Sequence, residues 1–286
     1  MRFTKMHGTG NDFVLVEAKG EERDWPRLAI AVCDRHFGVG ADGLLLVLPS
    51  DKAAVRMRVI NPDGTEPEMC GNGIRCLAKY AVEKGLVRPE NDRFDVETAA
   101  GVLTLQVFGE GSLVEKVRVG MGKPRLSPAE IPVHINADPP LINLPIELTE
   151  GSLRQVLPVT AVSMGNPHAV RFIHEPVAAF PLAQIGPSVA LHPLFPHGTN
   201  FEVARVIDRR TIEARVWERG AGPTMACGTG ASAVIVAARL QGMVDDTVDI
   251  TLPGGTLTLE WDGTGEVFMT GPAVTVFEGE WPEGES

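Results

Sequence analysis

Apolar and polar residues alternate along most of this chain in the manner of strands. "VRMRVI" (55–60), "LTLQVF" (103–108), "EKVRV" (115–119), "TIEARVW" (211–217) and "TLTLEW" (256–261) alternate or are rich in β-branched residues. Turns such as "PDG" and "PGG" separate them. Two stretches carry a helical period instead. Ile74, Leu77, Ala78, Ala81 and Val82 fall at i, i+3, i+4, i+7 and i+8, which gives one apolar face. "ASAVIVAARL" (231–240) is apolar nearly all round and predicts a helix enclosed by sheet. A third helix is predicted in "DWPRLAIAVCDRHFG", with Asp24 as N-cap, Pro26 in its first turn and Gly38 as its stop.

The pattern occurs twice. "EMCGNGIRCLAKYAVEKGLV" and "TMACGTGASAVIVAARLQGMV" both read Cys-Gly-x-Gly, an apolar helix, then Gly-apolar-Val, with Cys70 matching Cys227. "VINPDG" (59–64) lies over "VWERGA" (216–221), "DVETAAGVLTL" (95–105) over "DITLPGGTLTL" (249–259), and "GTGNDFVLV" (8–16) over "SMGNPHAVR" (163–171). A period of about 155 residues is too long for a solenoid. Two homologous halves are expected, 1–124 with Cys70 and 125–286 with Cys227, joined through the proline-rich "KPRLSPAEIPVHINADPP". The last strand, about 272–286, is expected to pack back on the first half. The fold class is α+β: in each half a mostly antiparallel sheet wraps a central helix, and the halves are expected to be related by a pseudo-twofold with a crevice between them.

Composition narrows the chemistry. A formal net charge of −11 argues against nucleic acid or an anionic membrane as partner. The start, "MRFTKMHGTGND", lacks the apolar core of a signal peptide. The four cysteines, at 33, 70, 76 and 227, form no CxxC, which disfavours a zinc site or a disulfide framework and makes the cytoplasm the default compartment. Cys33 and Cys76 fall within helical patterns as small buried apolar residues. Cys70 and Cys227 each precede a helix, where free N–H groups and the macrodipole lower a thiol's pKa and can bind a carboxylate. Such a pair suits two-base epimerisation, with one thiolate removing an α-proton and the opposite thiol returning one. "GVGADG" (38–43) satisfies GxGxxG but follows a helix and opens the strand-like "LLLVL", the reverse of a dinucleotide fingerprint. His7, His36, His134, His174, His192 and His197 are read as surface or structural residues.

"KMHGTGNDFV", "NPDGTEPEMCGNGIRC", "GNPHAV", "GTNFEV" and "WERGAGPTMACGTGASA" together resemble the motifs of the diaminopimelate epimerase family, over residues 3 to about 279. The resemblance implies interconversion of LL- and meso-diaminopimelate on the route to lysine and peptidoglycan, with no pyridoxal phosphate, other cofactor or metal. It implies Cys70 as proton donor and Cys227 as proton acceptor, with His168 and Glu218 supporting the thiols and the ammonium group. Gly71, Asn72, Gly228 and Thr229 would bind the reacting carboxylate, and Asn11 would hold the reacting end. Asn61, Asn166, Asn200 and Arg219 would read the distal amino-acid centre. A homodimer is implied, with Phe277 as a contact. Three positions depart from the family's pattern: Gly43 stands where some members carry a substrate-contacting Gln, Pro223 replaces a frequent Glu, and Ser232 a frequent Cys.

Other readings are a proline or hydroxyproline epimerase, a redox switch and a non-catalytic amino-acid binder. The first resembles "MCGHG" where this chain has Asn72, and its substrates have little use for Arg219 and four asparagines. A redox switch would show a Cys70–Cys227 disulfide, and a binder would tolerate loss of either thiol.

Overall fold

The computed structural model describes residues 1–20, 23–150 and 153–282. In chain order the elements begin β1 (Arg2–Gly8), β2 (Asn11–Glu17), α1 (Trp25–Cys33), β3 (Gly43–Leu48), β4 (Val55–Ile60), α2 (Gly71–Glu83), β5 (Arg93–Thr98), β6 (Gly101–Phe108) and β7 (Lys116–Gly120). They continue β8 (Leu144–Glu150), β9 (Leu153–Ser163), β10 (Pro167–Phe172), α3 (Leu182–Ala190), β11 (Asn200–Asp208), β12 (Thr211–Glu218), β13 (Gly222–Thr224) and α4 (Gly228–Leu240). β14 (Thr247–Leu252), β15 (Gly255–Glu260), β16 (Phe268–Pro272) and β17 (Val274–Glu280) complete the chain.

Two compact units result. One comprises Met1–Gly120 with the segment that begins at Thr270, and the other Met121–Met269. The expected last strand, about 272–286, corresponds to β17 paired with β1; its end, 283–286, lies outside the described residues.

In the first unit β17 is antiparallel to β1, β1 to β2, β3 to β4, β5 to β6 and β6 to β7. The β2–β3 and β4–β5 pairs are parallel. Parallel neighbours need a crossover, and α1 and α2 supply the two. The second unit repeats this order. β8, β9 and β10 are successively antiparallel, β10–β11 is parallel, β11–β12 antiparallel, β12–β14 parallel and β14–β15 antiparallel. Here α3 and α4 are the crossovers.

The central helices explain the hydrophobic patterns. In α4, Ala233, Val234, Ile235, Val236, Ala237 and Ala238 are all fully buried, packed among β9, β10, β11, β12 and β15. Burying each Val or Ile contributes about 1.5–3 kcal/mol, so this helix anchors its unit. α2 buries a wide face against β1, β2, β3, β4, β6 and β7, including Arg75, whose guanidinium bonds Thr9 Oγ1, Gly71 O and Pro272 O. Both helices end alike. Gly85 (φ 69°) and Gly242 (φ 68°) adopt the left-handed conformation and donate back to Val82 O and Arg239 O.

Two local features differ from the expected pattern. α1 stops at Cys33, before Gly38, because Asp34 turns its carboxylate onto the N–H groups of His36 and Phe37, both at 2.7 Å. α3 has no helical signature in "LAQIGPSVA", which holds Gly186 and Pro187. Packing decides there: a Cβ at Gly186 would fall 2.6 Å from the Trp217 ring, so only glycine lets the helix lie on β12. The proline-rich segment is also more than a tether. Its Ile131 and Val133, with Leu141 just beyond, are buried in the core of the second unit.

Candidate active site

Cys70 is the N-cap of α2 and Cys227 the N-cap of α4, with matching extended backbones (φ −135°, ψ 111° and φ −124°, ψ 117°). Each sulfur accepts a hydrogen bond at 3.4 Å from the N–H three residues on, Gly73 and Gly230. A thiol therefore occupies the capping position usually held by a Ser or Asp side chain. The first-turn N–H groups, at Gly71 and Asn72 and at Gly228 and Thr229, lie beyond the reach of their own helix's carbonyls, a kind of helix end that can bind an anion.

Around Cys70 the first unit gathers Asn11 and Asn72. Asn11 Oδ1 lies 3.8 Å from the sulfur and accepts from Asn72 Nδ2 at 3.2 Å, while Asn11 Nδ2 donates to Asp42 at 2.8 Å. Asp42 is held in turn by Arg35 and the Asp12 N–H, and Arg35 and Lys5 both pair with Asp12. Burial disfavours ionisation of Asp12, but hydrogen bonds from Arg35 and Lys5 outweigh it and hold the carboxyl at about 2. The Arg75 charge interacts with Cys70; burial lowers that guanidinium to about 10. Asn61 sits in the turn after β4, its amide nitrogen bound to Thr65 Oγ1 at 2.9 Å. Gly43 is buried at the start of β3, where a Cβ would come within 3.2 Å of Ile60 O. A side chain there would need the Ile60 carbonyl to give by a few tenths of an ångström, and glycine itself offers no side-chain contact from this position.

The second unit builds a longer chain. Thr229 Oγ1 lies 3.4 Å from Cys227 Sγ and accepts from Asn166 Nδ2 at 3.3 Å. Asn166 Oδ1 lies 2.9 Å from His168 Nε2, and His168 Nδ1 lies 2.7 Å from Glu202 Oε1. Asn200 and Arg219 also meet: Asn200 Oδ1 accepts from the Arg219 N–H at 2.7 Å, and the Arg219 guanidinium bonds His197 O. Glu218, at the end of β12, accepts from Thr224 Oγ1 at 2.5 Å. Ser232 is fully buried and bonds Gly228 O, so it serves the helix backbone.

A lowered thiol was predicted at each helix start; for Cys227 the structure reverses the direction. Burial, then the negative charge of Glu218, push this thiol well above its ordinary value, and the Thr229 and Gly230 donors oppose them without prevailing. Desolvation of a thiolate outweighs two weak hydrogen bonds to sulfur. Cys33 and Cys76 are buried and pushed up to about 12, as inert core thiols are.

Sequence patterns gave no separate signal for Lys5, Asp12, Arg35, Asp42 and Arg75, which the structure adds to these clusters along with Glu202. Glu202 had one available. It is a charged residue two positions after Asn200 in a strand, so both leave the same face.

The sequence matches the profile of the family described as Diaminopimelate epimerase over residues 3–127 and 160–276. It is 51% identical to the diaminopimelate epimerase of Moorella thermoacetica, over 99% of each chain. It is 50% identical to that of Pelotomaculum thermopropionicum, again over 99% of each. Among solved structures, the fold resembles a phenazine biosynthesis protein of the PhzF family from Bacillus anthracis, with TM-score 0.71 and 19% identity over 99% of each chain. A hydroxyproline epimerase from Agrobacterium vitis gives TM-score 0.70 and 16% identity over 98% of this chain and 91% of that one. Profile and relatives agree with one another: the chain belongs to the diaminopimelate epimerase family.

Proposed function

We propose that the chain interconverts LL- and meso-diaminopimelate by two-base proton transfer without a cofactor, supplying lysine and peptidoglycan precursors in the cytoplasm. The observation that carries this reading is the duplicated thiol cap. Two cysteines occupy the same place at the start of two equivalent helices, each beside first-turn backbone N–H groups suited to the reacting carboxylate.

In one direction Cys227 takes the α-proton and Cys70 delivers one to the opposite face; in reverse the roles exchange. Cys227 starts as a thiol because it is buried beside Glu218. The ammonium group of an arriving substrate brings positive charge, which favours loss of that proton. Asn11 holds the reacting end, with Gly71, Asn72, Gly228 and Thr229 on the carboxylate. Asn61, Asn166, Asn200 and Arg219 read the distal centre, where the Arg fork suits a carboxylate. His168 and Glu218 support the thiol and the ammonium.

The working state is a homodimer through β17. Val274, Val276 and Phe277 are 43%, 55% and 46% exposed on that strand, an apolar row of the kind that seeks a partner. Sedimentation of native protein against Phe277→Asp tests the dimer.

Incubation of purified protein with LL-diaminopimelate and a chelator, without added cofactor, should yield the meso isomer on chiral chromatography. Failure to form it, or activity on proline alone, would overturn the assignment.

A further inference from the structure

The Cys227 side holds a buried acid with no part in the reaction proposed above. Glu202 is 1% exposed, and its partner His168 is 0% exposed. Its Oε1 lies 2.7 Å from His168 Nδ1, while its Oε2 is buried with no hydrogen-bond partner among the described residues. A bare carboxylate oxygen out of water is costly, and burial pushes the Glu202 carboxyl upward against the pull of His168. A Cβ at Gly230 would come within 2.9 Å of Oε1, so glycine there lets α4 approach the acid this closely.

Counting protons along the contacts gives the pair a definite state. Asn166 Oδ1 can only accept, so His168 Nε2 carries a proton. A second proton lies on the line from Nδ1 to Oε1, because two lone pairs would repel at 2.7 Å. Whichever atom holds it, ring and carboxyl together are neutral. Asn166 Nδ2 then donates to Thr229 Oγ1, which leaves the Thr229 hydroxyl proton for Cys227 Sγ.

We propose that Glu202 is a positioning residue for Cys227: by sharing one proton with His168 it keeps Nε2–H on Asn166, so that every donor in the chain points toward the sulfur. The titratable groups facing this end of α4 are His168 on β10, Glu202 on β11 and Glu218 on β12. The shared proton neutralises the first two and leaves Glu218 as the uncompensated charge. The inference rests on Cys227 being an acid/base thiol, but its test reads the protonation of that sulfur whether or not turnover uses it.

Two measurements test it. The ¹⁵N spectrum of histidine-labelled protein at neutral pH should show His168 Nε2 protonated; a ring protonated on Nδ1 alone would overturn the proposal. Initial rates of iodoacetamide modification at pH 8, resolved for Cys227 by peptide mass spectrometry, should stay within about twofold in Glu202→Gln. That side chain can donate to Nδ1 as a protonated carboxyl does. The rate should fall severalfold in Glu202→Leu and in Thr229→Val, and adding Glu202→Leu to Thr229→Val should lower it no further. A severalfold change in either direction with Glu202→Gln would contradict the shared proton. An unchanged rate with Glu202→Leu, or an equal further loss in the Thr229→Val background, would contradict the route through Thr229. Should Glu202→Leu fail to fold, the spectrum and the Gln variant still decide.

Discussion

Asn11 and Asn166 occupy equivalent positions in the two repeats yet turn their amides in opposite senses. Asn11 presents its oxygen to Cys70, whereas Asn166 presents its nitrogen to Thr229, the residue beside Cys227. The residues that fix each amide also differ: Asp42 takes the nitrogen of Asn11, and His168 takes the oxygen of Asn166. An acceptor therefore faces one sulfur and a line of donors leads to the other. The charges run the opposite way, with Arg75 acting on Cys70 and Glu218 on Cys227. A duplicated fold has been given two thiols in unlike surroundings, which suits the acid and base roles proposed for them.

The Asn11 amide should depend on Asp42. Asp42→Ala removes the acceptor at 2.8 Å and frees the amide to turn its nitrogen toward Cys70. Loss of one such charge-assisted bond, about 1.5–3 kcal/mol, corresponds to a loss of roughly tenfold or more in kcat/KM. Asn11→Ala should cost at least as much, and the double variant should cost no more than Asn11→Ala alone. Additive losses would show that Asp42 acts elsewhere.

The raised Cys227 thiol has a measurable sign. Its modification rate should keep climbing with pH beyond 9, the ordinary thiol value, since only the thiolate reacts. Glu218→Gln removes a neighbouring negative charge that disfavours the thiolate, so the midpoint should move to lower pH. A midpoint that stays put or rises would remove Glu218 from the electrostatics of this sulfur.

Asp12 should contribute to stability in a pH-dependent way. Its folded carboxyl is held at about 2, below its ordinary 3.8, so the contribution is complete above pH 4 and is lost as pH falls through 2. Asp12→Asn should destabilise by about 1–2 kcal/mol at pH 7 after allowance for its partly solvated surroundings. Urea unfolding of the two proteins should converge as pH falls from 4 toward 2. A gap that persists at pH 2 would mean packing, not charge.

Much of this was legible in the chain because the duplication could be read twice. Cys70 alone resembles an ordinary buried thiol, and Cys227 at the same point of a second repeat made it a candidate. The strands alternate plainly, and α2 and α4 carry strong apolar patterns. What escaped depended on tertiary contact. α3 forms over Gly186 and Pro187 because Trp217 accepts a close approach, which propensity does not report. The direction of the Cys227 shift escaped for the same reason: the helix end is visible in sequence, while burial beside Glu218 is not.

Arg219 tests substrate length. Its backbone is pinned by Asn200 and its guanidinium anchored on His197 O, and the role proposed for the fork is to hold a distal carboxylate. Arg219→Ala should lower kcat/KM on LL-diaminopimelate by about 30-fold or more, equivalent to roughly 2 kcal/mol or above. Thermal unfolding should be little changed, because the side chain is exposed. Near-native kcat/KM would refute distal recognition by this residue.

The two-thiol mechanism is tested most directly by the hydrogen that reaches the product. In D2O, the base removes protium from the α-carbon while the opposite thiol, already exchanged with solvent, delivers deuterium. Product from the first turnovers should carry deuterium at the α-carbon while recovered substrate is still protiated, and Cys70→Ala and Cys227→Ala should each abolish epimerisation. Early product that retains the substrate's own proton, or near-native epimerisation by either variant, would contradict the account.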